Sequence, residues 1–222
     1  MQNIRTADTS WLSVGVTDTQ YRSDARLELG PSLLQLVVSE IDNRVTSKPA
    51  DVIATLAFLA GRIVQRSVFY EDAQSFRLDQ SASGESFLRS DAVTSRLFAM
   101  KSGTLASKLV ESSLLAGANR FPDFQAVHQS AHEIMQKRAG CFLPENLVSD
   151  APDRLGSEIL ADVDTLLVLS DDRQTLTRGV FDACGMAISY ARHKVAPVRA
   201  VELAMGVALY GGWVDQRKFS VR

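Results

Sequence analysis

Apolar residues recur every three or four positions along most of the chain, the spacing of a helix with one buried face. Leu34, Val37, Val38, Ile41 and Val45 mark one such stripe, and Pro31 suits its first turn because no backbone donor is needed there. Pro49 opens a second helix carrying Val52, Ile53, Leu56, Leu59, Ile63 and Val64. The short connection between the two predicts an antiparallel hairpin. Further stripes run through Val93, Leu97 and Phe98, then Leu105, Leu109 and Val110 beyond a break at Gly103. Others run through Phe124, Val127, Ala131 and Ile134, and through Leu155, Ile159 and Val163. The last two carry Leu176, Val180, Ala183 and Ile188, and then the apolar run opened by Pro197. No strand ladder competes with this pattern. The expected fold is all-α: one compact multi-helix bundle of about eight helices, a single domain over residues 1–222.

Two regions depart from the helical period. Residues 1–28 hold Trp11, Leu12, Val14 and Val16 and suit either a short helix or an extended arm. Residues 70–90 contain the small, polar run 79–85, which predicts a flexible loop or a sub-boundary; Phe76, Leu78, Phe87 and Leu88 around it also suit a small hairpin.

Two segments, 44–66 and 192–217, share a pattern: an arginine, a proline five residues later, an apolar helix, then G-x-[I/V]-x-Q-R. The motif reads from Gly61 to Arg66 and from Gly212 to Arg217. It raises a pseudo-duplicated pair of helical hairpins, against coincidence in an alanine-rich sequence. If the repeat is structural, its Gln and Arg side chains suit the open carbonyls at helix ends.

Composition narrows the function classes. Of 222 residues, 45% are hydrophobic and 23% charged, which is ordinary for a globular chain. The net charge of −2 exerts no global pull on nucleic acid or anionic lipid. Charge is nonetheless segregated: residues 144–172 hold eight acids and one base, and residues 173–222 hold eight bases and three acids. The bases are scattered, so neighbouring helices neutralising one another is favoured over a nucleic-acid surface. The apolar run 52–61 ends at Arg62, and the run 195–212 is interrupted by Arg199 and Glu202, so neither predicts a membrane span. No secretory leader follows Met1, and Cys141 and Cys184 form no CxxC pair. The expectation is a cytoplasmic protein with reduced thiols and no cofactor.

Candidate chemistry is sparse. No P-loop, dinucleotide fingerprint or nucleophile elbow is present. His128 and His132 stand four apart on one helix face with Glu133 beside them, a spacing that can place two imidazoles on a metal. The zinc-protease motif is missing, because position 136 is Gln. Glu158 and Asp162 share a face, with Asp171 and Asp172 following, yet no second acidic motif completes a magnesium site. Whether the chain is an enzyme stays open.

The leading expectation is a non-catalytic helical binding or regulatory protein acting through protein–protein contact and self-association, with Trp213, Phe219 and Trp11 as partner-binding residues and Tyr21 beside them. One alternative is a metal-dependent enzyme or metal binder using His128, His132 and Glu133. A second is an apolar-ligand binder between the helices at 49–66 and 196–214, whose small residues (Ala54, Ala57, Gly61, Ala204, Gly206, Ala208) equally permit close backbone approach.

Overall fold

The computed structural model describes residues 29–42, 48–137, 156, 158–160 and 173–215. The named elements among them are seven α-helices, one short 3-10 helix (Ala73–Ser75) and a two-stranded hairpin, and residues 156 and 158–160 are also helical. Helical residues are 74% of the described ones, so the fold is all-α as the periodicity predicts. The helices are α1 (Leu29–Asp42), α2 (Pro49–Glu71), α3 (Asp91–Phe98), α4 (Leu105–Leu115), α5 (Phe124–Lys137), α6 (Arg173–Ala191) and α7 (Pro197–Trp213). The strands are β1 (Arg77–Gln80) and β2 (Ser86–Arg89).

The two most apolar helices form the centre. Pro49 and Pro197 each sit at the first turn, where proline loses no bond. Burial all around α2 and α7 removes the polar face that a surface helix shows. Helix α2 is long and apolar enough to cross a membrane, but 83% of its most apolar stretch is buried within the protein, as in a core helix.

Glycine sets how closely α2 and α7 approach. A Cβ at Gly61 would lie 2.0 Å from the Ala208 carbonyl oxygen and 2.7 Å from the Gly212 nitrogen. A Cβ at Gly211 would lie 2.5 Å from the Phe58 carbonyl oxygen. The backbones therefore touch, and the small residues serve packing. At this crossing the two backbones leave no room for one methyl group.

Helix α1 lies on α6, and α2 also packs on α6. The glycines of the two G-x-[I/V]-x-Q-R motifs meet at the α2–α7 crossing. The α1–α6 and α2–α7 contacts are those a pseudo-twofold pair of hairpins needs. The α2–α6 contact has no counterpart of similar extent between α1 and α7 among the described residues, so the arrangement is unsymmetrical there.

The polar run 79–85 lies at the turn of a small hairpin, the alternative the flanking apolar pairs suit. It closes a hairpin in which Arg77 pairs with Arg89, Leu78 with Leu88, Asp79 with Phe87 and Gln80 with Ser86. Gly84 supplies the turn's left-handed residue at φ 80°. A single bridge between Phe87 and Val214 ties β2 to the end of α7. Thr104 caps α4 by accepting from the Ser107 N–H at 3.3 Å, which explains the restart after Gly103.

Candidate functional site

Three of the side chains singled out in the sequence, Trp213, His128 and His132, meet at the C-terminal end of α7. Trp213 occupies the last turn and is 1% exposed. Expected among the partner-binding residues, Trp213 lies within the core in this structure. Phe87 of β2 stacks on its ring at 6.4 Å, with planes 26° apart. His128 and His132 meet it edge-on at 5.9 and 6.0 Å, each at 87°. The i, i+4 spacing that could serve a metal here sets two imidazoles against one indole. Phe98 of α3 closes on His128 from another side at 6.0 Å. The Trp213 Nε1 has no hydrogen-bond partner among the described residues, although it is buried.

Each histidine has a distinct environment. Arg89 Nη1 lies 3.1 Å from His132 Nε2. A guanidinium only donates, so Nε2 is the acceptor in this contact. His128 is held below its ordinary pKa of 6.5, first by the loss of hydration on burial. The neighbouring His132 and Arg89 push the same way, while Asp91 opposes them. Glu133 is exposed, and its Oε1 accepts from Gln129 Nε2 at 3.1 Å. Among the described residues no three His, Cys, Asp or Glu side chains are grouped to hold a metal ion.

Beyond Trp213, the Val214 carbonyl is held by α2. Gln65 Nε2 donates to it at 2.9 Å and Arg62 Nη1 at 3.2 Å. Arg62 Nη1 also donates to Gln65 Oε1. Both side chains are buried, Arg62 at 1% exposure. The repeat's Gln and Arg were expected at helix-end carbonyls; Gln65 takes that place, but the arginine is Arg62 rather than Arg66. Arg62 was read as the charge that stops an apolar run. It is instead a core residue, hydrogen-bonded both to Gln65 on its own helix and to the Val214 carbonyl, far away in the chain. Sequence reasoning missed Arg89 altogether, because nothing local marks it.

The remaining sites separate. Cys184 is free and buried, and desolvation pushes its thiol far above the ordinary range. Glu158 is exposed. Among the scattered bases, Arg199 pairs with Glu202 at 2.9 Å, and Asp182 of the same basic segment is paired with Lys108 of α4 at 2.9 Å. Trp11, Tyr21, Cys141, Asp162, Asp171, Asp172 and Phe219 lie outside the described residues.

No protein-family model, curated protein or solved structure matches the chain. The described residues form an all-α protein with one small hairpin, in which His128 and His132 pack against a buried tryptophan.

Proposed function

We propose that this is a non-catalytic helical binding or regulatory protein of the cytoplasm, acting through protein–protein contact and associating with itself. The observation that carries the reading is a group of large apolar side chains held in solvent on ordered elements: Tyr70 at 69% exposure, Leu78 at 55% and Phe69 at 42%. Large apolar groups left in solvent on ordered elements suit contact surfaces, most of all where they adjoin one another. Phe69 and Phe76 lie with ring centroids 5.6 Å apart, which links the end of α2 to the start of β1. The occupation of His128 and His132 by Trp213 and Arg89 also favours contact over catalysis. A free, buried Cys184 suits a reducing compartment.

Light scattering across a concentration series from micromolar to near-millimolar tests the reading. The expected result is a reversible rise in mass toward a dimer. A constant monomer mass over the whole range overturns self-association.

A further inference from the structure

We propose that the free edge of β1 is a self-pairing surface: two copies of the chain join β1 to β1 about a twofold axis at Leu78, making a continuous four-stranded sheet. This rests on the self-association read above and names its interface.

Strand β1 has one neighbour, β2, and its other edge is unpaired among the described residues. Such an edge carries a row of backbone donors and acceptors ready for another strand. The register decides which ones face outward. Ser81 N–H donates to the Glu85 carbonyl at 2.9 Å, so position 81 turns its backbone groups toward β2. Backbone groups alternate in direction along an antiparallel strand. Positions 79 and 77 therefore also bond β2, and Leu78 and Gln80 present their N–H and C=O to the open edge.

A second copy placed antiparallel about Leu78 satisfies this geometry. Leu78 then faces its own counterpart as a hydrogen-bonded pair, with both N–H groups and both carbonyls matched. Arg77 falls opposite the partner strand's Asp79, and Asp79 opposite its Arg77, as closely spaced non-hydrogen-bonded pairs. Moving the axis by one residue either way sets Arg77 on Arg77 or Asp79 on Asp79, which opposes pairing. The segment Arg77-Leu78-Asp79 is thus complementary to itself in one register.

Two further observations point the same way. Within the hairpin Arg77 sits across from Arg89, a like-charge pair that a carboxylate from a second copy offsets. Leu78 lies on the same face as Leu88, so pairing extends that apolar row across the dimer.

The test is light scattering or sedimentation equilibrium on the full chain and three variants. Arg77→Asp sets like charges together twice and weakens the dimer by about tenfold or more. Arg77→Asp with Asp79→Arg restores the complement and the affinity. Leu78→Pro removes an outward N–H without touching the bonds to β2, and abolishes the dimer. Failure of the double exchange to recover affinity overturns the pairing. Dimerisation untouched by both Arg77→Asp and Leu78→Pro overturns the strand-edge interface and leaves self-association standing. A wild-type chain that is monomeric throughout overturns both.

Discussion

Gln65 on α2 donates to the carbonyl of Val214, 149 positions later in the chain, at 2.9 Å. This bond holds the residue that ends α7 against the core, and Arg62 shares both partners. Gln65→Leu keeps most of the volume, removes the donor to Val214 and takes the Oε1 acceptor from buried Arg62. A loss of roughly 2–3 kcal/mol is expected in urea unfolding, because the groups left behind remain desolvated. An unchanged midpoint would show that the clamp carries no stability.

Gly61→Ala places a methyl group into the Ala208 backbone, which cannot move aside as a side chain could. Separation of α2 from α7 should cost on the order of 3 kcal/mol or more. Gly84→Ala is the contrast: open space surrounds it, and only its φ of 80° resists. That cost is about 1–2 kcal/mol. Thermal unfolding of the two variants should separate them clearly.

Acid should loosen the contact around Trp213. The folded protein keeps His128 below its ordinary pKa of 6.5, so the unfolded chain binds the proton more readily. The contribution is therefore fully present above that ordinary value. It is lost as pH falls from there toward the lower folded value, and it levels off below. Urea midpoints measured through this window should decline for the wild type and decline less for His128→Gln. Equal slopes would remove His128 from the effect.

Burial that raises the Cys184 thiol also shields it from reagents. In a Cys141→Ser background, a thiol reagent should react only as fast as the chain opens, and urea should accelerate it. Native protein reacting like a free thiol would contradict the packing of α6.

The helices could be read before the structure because their signal is local. Leu34, Val37, Val38 and Ile41 repeat within two turns, and all four are buried as their spacing predicts. Pro49, Gly103 and Pro197 mark the breaks for reasons contained in one residue. The hairpin was half visible in the apolar pairs flanking residues 79–85. The candidate site was visible only as a spacing: His128 and His132 were correctly placed on one face, but nothing nearby named Trp213 as what that face meets.

Arg62 shows why the rest was hidden. Its charge is a surface signal when only its neighbours are considered, while in the fold it is buried and one of its partners is the carbonyl at position 214. Helical periodicity repeats over a few residues, so the order of side chains suffices to make the helices and their oily faces. Which faces meet is an energy shared between distant positions, as at Gly61 against Ala208 or Phe87 against Trp213. Close packing admits one mutual fit, and folding alone brings its members together.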